Sequence, residues 1–261
     1  MSPQKRFTFF CFSKSLEPPK TGSLIAFDAE FVQVQNEESA LTAAGSKVTT
    51  REGRNALGRV SLLDCETGKV IIDDHVLPRE PVLDYLTRFS GIRPADLNPR
   101  TTSHRLISAR HAYAKMRYLV ERYVIHILID SNRIIMFHSR FTIILFARGC
   151  IFVGHGLAKD FLTVNLFVPP SQIIDTVQIY HLEKRRYISL RFLVNYLFRR
   201  DMQVEVHDSV EDARAAYDLY LKALELKKEG RFDAVLREIY DHGTQTDWKV
   251  GVTTSRNNRN Y

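Results

Sequence analysis

The chain has 261 residues, of which 44% are hydrophobic and 26% charged, so it can bury the core of one large globular domain. Its net charge of +7 favours a polyanionic partner, because Lys and Arg that neutralise phosphates release counterions. Three scattered cysteines exclude a disulfide framework and favour a reducing compartment, the cytoplasm, and no apolar run reaches the roughly 18 residues of a membrane span.

The first residues differ in character from the rest of the chain. They lack the long apolar core and the small-residue cleavage site of a signal peptide. Phe9 to Ser13 reads like a translated pyrimidine tract that ends in a splice acceptor, so we interpret 1–17 as a non-native or disordered leader. Pro18, Pro19 and Gly22 then mark a boundary before the first strand.

That strand, Leu24 to Val32, is apolar except for two carboxylates, Asp28 and Glu30. Residues i and i+2 of a strand point to the same face, so these two side chains project together. An unpaired buried charge costs several kcal/mol or more, and a divalent metal would neutralise the pair. The alternative is a strand end at which both carboxylates are solvated or paired with Arg or Lys, and these residues alone leave both interpretations open.

The next segments predict a long exposed loop and then two antiparallel strands. Residues 35–55 are polar and mixed in charge, which is typical of a loop. Arg59–Leu63 and Lys69–Ile72 are strand-like runs joined by a short turn with Gly68, so they predict a hairpin that continues a three-stranded antiparallel meander.

Helices and strands alternate in the second half of the chain. Apolar residues at helical spacing predict a helix from Ser103 to about Glu121. The elements predicted after it are a strand at Cys150–Gly154, a helix that carries Asp160, a strand at Ile173–Thr176, and helices at Ser189–Phe198 and Glu211–Lys228. This order predicts an α/β fold with a mixed five-stranded sheet, three antiparallel strands followed by parallel ones, flanked by helices.

Two further acids lie near helix starts. Asp160 follows a buried strand, and Asp212 lies five residues after His207 in the first turn of the long helix. Each alone is typical of an acid that complements a helix dipole. Together with Asp28 and Glu30, however, they resemble the three exonuclease motifs of the DEDD superfamily, in its His-containing branch, which has an RNase H-like fold.

Further stretches resemble a narrower family, the nuclease domain of the catalytic subunit of the PAN poly(A) deadenylation complex. The similarity covers about Pro18 to Lys249. The stretches that carry it are Phe27–Val32, Gly58–Ser61, Tyr85–Ile92, Phe152–Leu157, Val168–Pro170, Ile174–Thr176, Ile188–Leu193, His207–Ser209 and Glu211–Arg214. Members of this family carry a β-propeller and an inactive ubiquitin-hydrolase-like domain ahead of the nuclease, so we expect the chain to match only their last part.

The resemblance implies a catalytic site with two divalent cations, Mg²⁺ or Mn²⁺, on either side of the scissile phosphate. Asp28 would bridge both ions, Glu30 and Asp212 would complete one site, and Asp160 would serve the other. His207 would accept a proton from the attacking water, a role that suits a pKa near 6.5. The implied activity is 3′–5′ removal of AMP from poly(A) tails of mRNA.

Other residues near these motifs have two interpretations each. His155 is either a substrate contact or a structural histidine at a strand end, and Phe31 either packs against the terminal nucleotide or belongs to the core. A basic stretch either follows RNA phosphates or is a solvated face; it comprises Lys184, Arg185, Arg186, Arg191, Arg199 and Arg200. Asp175 and Asp208 lie outside the four positions of the family and are not assigned as ligands.

One segment, 122–147, departs from the family pattern. It is rich in Ile and Phe and has neither helical nor strand periodicity. Codons for Arg122 to Val124 can contain a 5′ splice signal, and those for Phe146 to Arg148 can end an intron, so we hypothesise a translated intron within an exonuclease domain of 18–249. Residues 250–261 are predicted to be a flexible tail.

The leading functional hypothesis is therefore a poly(A)-specific, metal-dependent exoribonuclease. A nuclease of the same branch that acts on oligoribonucleotides or DNA, or an inactive RNA-binding fragment, are the alternatives. Poly(A) RNA is the expected partner. The regulatory subunit of the PAN complex is another, although the family's usual N-terminal contact regions are absent from this sequence.

Overall fold

The computed structural model describes residues 19–20, 22–130, 149–202 and 208–250. Within these ranges, six strands form a mixed sheet in the order β6-β5-β4-β1-β7-β8. Their bounds are β1 Leu24–Gln35, β4 Arg54–Asp64, β5 Val70–Leu77, β6 Leu106–Ser108, β7 Ile151–Gly154 and β8 Ile173–Asp175. A separate two-stranded sheet consists of β2 (Glu38–Leu41) and β3 (Lys47–Arg51).

The strand directions confirm the predicted α/β order, but the sheet has six strands rather than five. β1, β4 and β5 form the antiparallel meander, and β7 and β8 continue the sheet from β1 in parallel. The additional strand is β6, which pairs in parallel with β5 at the sheet's outer edge. With only three residues it gives no periodic signal in the sequence.

The segment 35–55 is a hairpin rather than a loop. β2 and β3 pair antiparallel from Glu38↔Arg51 to Leu41↔Lys47, and every residue of both strands is exposed. Gly45 near the tip has φ of +79°, which favours glycine. Exposure was predicted correctly, but a strand that buries neither face lacks the apolar alternation by which strands are recognised.

The helices lie on both faces of the sheet. Their bounds are α1 Thr87–Ser90, α2 Ala109–Asp130, α3 Leu157–Thr163, α4 Thr176–Ile179, α5 Leu190–Phe198, α6 Ser209–Lys228 and α7 Phe232–Gln245, with a 3₁₀ turn at Pro170–Gln172. The predicted start of α2 at Ser103 is wrong, because 106–108 forms β6 and the Ser108 Oγ accepts the His111 N–H instead. None of the described helices is both long and apolar enough to cross a membrane.

β1 is buried on both faces, which explains its nearly continuous apolar sequence. Ile25, Phe27 and Ala29 belong to the core that packs against α2 and α3. Ala26 lies on the opposite face, where it packs against Ala213 of α6. Because side chains alternate along a strand, Asp28 and Glu30 share the α6 face with Ala26.

Three predicted segments are covered only in part. The leader 1–17 lies outside the described residues, and so does the tail 250–261 apart from Val250. The first part of the inserted segment 122–147 continues α2 to Asp130, and 131–147 lies outside the described residues.

Candidate active site

The site begins at the point where β1 loses its parallel neighbour. β7 pairs with β1 only from Leu24 to Ala26, whereas β4 continues alongside, with Asp28 opposite Ser61 and Glu30 opposite Arg59. β1 therefore remains held on one side while the other side opens near its carboxylates. This is the end of a parallel strand pair, where α/β folds commonly place their ligands.

A β-bulge follows Glu30 directly. The register shifts between Glu30 and Phe31, which leaves Gly58 of β4 as the extra residue. A Cβ at position 58 would lie 2.5 Å from Ile92 Cδ1 and 3.2 Å from Val32 Cγ1, so only glycine fits there without a shift of its neighbours. Bulges of this kind redirect the side chains beside an active site.

The third carboxylate comes from α6, on the same face of the sheet. Asp208 caps this helix, its carboxylate accepting the Val210 N–H at 3.0 Å, and Asp212 lies in the first turn. The Ser209 Oγ donates to the Asp28 carbonyl at 3.3 Å, which joins the helix to β1. One oxygen each of Asp28, Glu30 and Asp212 lies within 4.8 Å of the others.

Glu30 is the member of this group whose pKa is shifted by burial and by its acidic neighbours. Burial, followed by repulsion from Asp28 and Asp212, raises the pKa of Glu30 from 4.5 to about 10, although Arg59 opposes the shift. Glu30 is 9% exposed and Asp212 7%. A divalent cation would relieve this repulsion, and carboxylate oxygens are the ligands that Mg²⁺ and Mn²⁺ prefer. The residues present therefore fit a divalent metal.

Asp160 approaches the cluster from α3. It lies in the first turn of that helix, which begins just after β7. Burial, then repulsion from Asp28 and Asp175, raises its pKa from 3.8 to about 8. Asp160 thus lies close enough to repel Asp28, although it is not part of the group of three within 4.8 Å.

His207, the predicted general base, lies outside the described residues, as does all of 203–207. The next residue, Asp208, is described as the cap of α6. The predicted role of His207 remains a prediction.

His155 has a structural environment. Its Nε2 donates to the Ile188 carbonyl at 2.9 Å, and its Nδ1 lies 2.9 Å from the Thr176 Oγ1. Burial lowers the pKa of the imidazole, which favours the neutral form. Both ring nitrogens are therefore used within the fold, as the structural interpretation of His155 requires.

Asp175 and Asp208 both serve as helix caps. Asp175 Oδ1 accepts the Val177 N–H at 3.0 Å at the start of α4 and the Gly156 N–H at 2.8 Å. These bonds account for two acids near the site that are not among the predicted ligands. Phe31 is partly buried and packs against the main core, as the core interpretation requires.

Most of the basic stretch has partners in the fold. Arg191 pairs with Asp201 and Arg200 with Asp218, each at 3.3 Å. Arg186 lies over the Trp248 ring and Arg199 over the Tyr196 ring. Within the described ranges, Lys184 and Arg185 form no ion pair.

Sequence reasoning missed Arg59 as part of the site. Its guanidinium contacts Asp73 of β5 and Asp208 at the start of α6. The available signal was the Gly58–Ser61 stretch, which carries family resemblance, but nothing in the sequence links residue 59 to residue 208. That contact depends on the tertiary fold.

The chain is similar over most of its length to known proteins. It is 39% identical over 246 residues to the "PAN2-PAN3 deadenylation complex catalytic subunit PAN2" of Chaetomium globosum, which is 93% of this chain and 20% of that protein. It is 38% identical over 252 residues to the Homo sapiens protein of the same name, which is 92% of this chain and 19% of that protein. The chain thus spans about a fifth of the length of these relatives, and no model of a protein family matches it.

The chain is also similar to solved structures of Pan2 proteins. A Saccharomyces cerevisiae Pan2 pseudoubiquitin hydrolase-RNA exonuclease module in complex with AACCAA RNA matches with a TM-score of 0.71 and 36% identity, over 90% of this chain and 34% of that chain. The Neurospora crassa Pan2 catalytic unit, with protease and nuclease domains, matches with a TM-score of 0.66 and 32% identity, over 88% of this chain and 31% of that chain. The fold is therefore the RNase H-like fold of these exonuclease modules.

Proposed function

Because the chain is homologous over nine tenths of its length to catalytic subunits of PAN2–PAN3 deadenylation complexes, we propose that it is a metal-dependent 3′–5′ exoribonuclease. It would shorten the poly(A) tails of mRNA and release 5′-AMP. The observation that carries this proposal is the group of oxygens from Asp28, Glu30 and Asp212 within 4.8 Å, with Asp160 close to Asp28.

The four carboxylates would hold two divalent cations, Mg²⁺ or Mn²⁺. Asp28 would bind both, Glu30 and Asp212 would complete one site, and Asp160 would belong to the other. When bound, two such ions stabilise the attacking and leaving oxygens of an in-line displacement. The raised pKa values of Glu30 and Asp160 support this assignment, because they result from burial and then from repulsion by neighbouring acids, and a bound cation would offset both.

His207 would be the general base that removes a proton from the attacking water. An imidazole with a pKa near 6.5 is half deprotonated close to neutral pH, as this role requires. Position 207 immediately precedes the cap of α6, whose first turn carries Asp212. The order of these residues in the chain therefore supports a base beside the acidic cluster.

The substrate would be an A-tailed RNA. Support comes from the names of the relatives and from the yeast Pan2 modules, whose structures include complexes with A7 and AACCAA RNA. The net charge of +7 favours a polyanion. We also propose the cytoplasm as its location and the regulatory PAN3 subunit as a partner.

The exonuclease domain would extend over 18–249 and carry 122–147 as an intron-derived insertion. Support comes from the described residues on either side of that segment, which lie together. The Cys150 N–H donates to the Leu119 carbonyl at 3.4 Å, and a Cβ on Gly149 would lie 2.3 Å from the Val120 carbonyl oxygen. Sequencing of mature mRNA tests the origin of the segment, since a transcript that always retains it contradicts the intron hypothesis.

The function is tested by release of AMP from a 3′-labelled, A-tailed RNA, with Mg²⁺ and with EDTA. We expect shortening from the 3′ end that depends on the metal. Equal rates on oligoribonucleotides of mixed sequence or on DNA would favour the broader nuclease of the same branch. RNA binding without AMP release would identify the chain as an inactive binding fragment and contradict the proposal.

A further inference from the structure

Arg59 connects three elements on the face of the sheet that carries the acidic cluster. Its Nε donates to Asp73 Oδ1 at 2.8 Å, and its Nη2 donates to Asp73 Oδ2 at 3.1 Å. The same Nη2 donates to Asp208 Oδ1 at 3.0 Å. One guanidinium therefore joins β4, β5 and the start of α6, and the Ser61 Oγ holds Asp73 from a third side at 3.1 Å.

Asp208 connects Arg59 to Asp212 through the first turn of α6. Its side chain caps α6, and its backbone carbonyl accepts the Asp212 N–H at 2.9 Å. Ser209, which is fully buried, adds a second anchor through its hydrogen bond to the Asp28 carbonyl. Two contacts at the first turn of α6 therefore help to hold Asp212 beside the two carboxylates of β1.

We propose that Arg59 is a positioning residue of the metal centre: paired with Asp73, it holds Asp208 and so keeps Asp212 within reach of an ion shared with Asp28 and Glu30. The inference rests on the proposed function, since it assumes that these three carboxylates bind a cation. Partners one step outside a metal's ligands fix ligand orientation, and their loss lowers metal affinity by about 10–100-fold.

The burial and hydrogen-bond geometry of Arg59 distinguish it from an arginine in a surface ion pair. Its side chain is 15% exposed, and its two parallel N–H donations to Asp73 form the fork that is specific to arginine. Arg54, on the same strand, is the matched comparison. Its single contact with Glu80 at 3.0 Å joins two side chains that are 53% and 43% exposed.

The charge of Arg59 alone would have the opposite effect. A cation beside the cluster repels a second cation, so an arginine that acted only through its charge would weaken metal binding, and its removal would tighten it. Positioning predicts that removal weakens binding. The sign of the change therefore distinguishes the two roles.

The test is Mn²⁺ binding to the full, metal-free chain, followed by the EPR signal of free Mn²⁺, in wild type, Arg59→Gln, Arg59→Lys and Arg54→Gln. We expect about 10–100-fold weaker binding in both Arg59 variants, because lysine keeps the charge but not the fork. Arg54→Gln should bind like wild type. Asp73→Asn leaves the Arg59–Asp208 contact in place and should weaken Mn²⁺ binding less than the Arg59 variants do. It replaces those variants in the test if they fail to fold.

Tighter or unchanged binding in Arg59→Gln, or wild-type binding in Arg59→Lys, would overturn the inference. AMP release by the wild-type chain separates this result from a failure of the proposed function. A wild-type chain that binds Mn²⁺ but releases no AMP contradicts the function alone. A wild-type chain that releases AMP, with Arg59 variants that bind Mn²⁺ equally well, contradicts the positioning role alone.

Discussion

Two groups of buried carboxylates lie on opposite faces of the same sheet, and the fold treats them differently. Asp74 of β5 is 2% exposed and pairs with Lys115 of α2, itself buried, and with Arg105 at 3.6 Å. Its strand partner Val60 belongs to the α2 core. Asp28 and Glu30, on the α6 face, instead lie against two more acids, Asp212 and Asp160.

The difference separates an acid that pairs with the protein's own cations from acids that lie next to one another, as the proposed metal site requires. Asp74 is neutralised by the protein's own cations, so its charge is part of the folded structure. In the acidic cluster, burial and then repulsion from Asp28 and Asp212 raise the pKa of Glu30 to about 10, despite the nearby Arg59. Natural folds retain such unfavourable charge where function requires it.

The largest expected effect comes from Asp28→Asn. This change removes the carboxylate that both proposed metal sites share, so AMP release should fall by about 10³-fold or more. The metal-free variant should be at least as stable as wild type, because one repelling charge is gone. Activity assays measure the expected loss of AMP release, and thermal unfolding measures the expected stability. Undiminished AMP release would contradict the metal assignment.

Asp74→Asn should lower the stability of the protein and leave its activity nearly unchanged, the reverse of Asp28→Asn. It leaves Lys115 buried without its anionic partner, which costs about 3–5 kcal/mol of the free energy of unfolding. The specific activity of the molecules that remain folded should stay close to wild type. Denaturant unfolding measures the loss, and a drop in specific activity as large as that of Asp28→Asn would contradict the division between the two groups.

The pH dependence of stability should also distinguish the cluster. The folded-state pKa values of Glu30 and Asp160, about 10 and about 8, lie above their ordinary values of 4.5 and 3.8. The folded state therefore binds more protons, and these groups contribute stability below pH 4 that is lost as pH rises through 8 to 10. Without metal, the unfolding temperature should therefore fall as the pH rises from about 4 to about 10. Saturating Mg²⁺ should make the unfolding temperature depend less on pH.

A metal-free curve that is already flat would show that the cluster carries no such repulsion. Glu30→Gln provides the control, because it should remove the part of the slope that extends to pH 10. Asp74→Asn should shift the whole curve downward without flattening it.

The smallest expected effect is that of deleting 122–147. Leu119 and Cys150, which flank this segment, are in contact, so a chain joining Glu121 directly to Arg148 could close the gap. The shorter connection should raise the free energy of unfolding by at most about 2 kcal/mol, with metal-dependent AMP release retained. Comparison of both chains in the same assay measures this, and an unfolded shortened chain would show that the segment belongs to the domain.

The sequence predicted the parts of the molecule that follow from local patterns. β1 with its two carboxylates, the meander, the helix that Ser189 caps and the two parallel strands all follow from periodicity and capping chemistry. β6 and the β2–β3 hairpin were missed, because one is too short and the other buries no face. Such strands are defined by their partners rather than by their own residues.

The site was predictable only as far as family motifs reach. They indicated which acids matter, but not that Arg59 pairs with Asp208, which lies 149 positions further along the chain. Nor does the sequence show that Asp74 is buried with a cationic partner. That follows only from the position of Lys115 in the folded protein.

The central claim is that the cluster is a divalent metal centre, and anomalous scattering from crystals soaked in Mn²⁺ tests it most directly. We predict one anomalous peak among the carboxylates of Asp28, Glu30 and Asp212, and a second between Asp28 and Asp160, with both lost in Asp28→Asn. The absence of any peak at these carboxylates in a wild-type crystal at saturating Mn²⁺ would contradict the account.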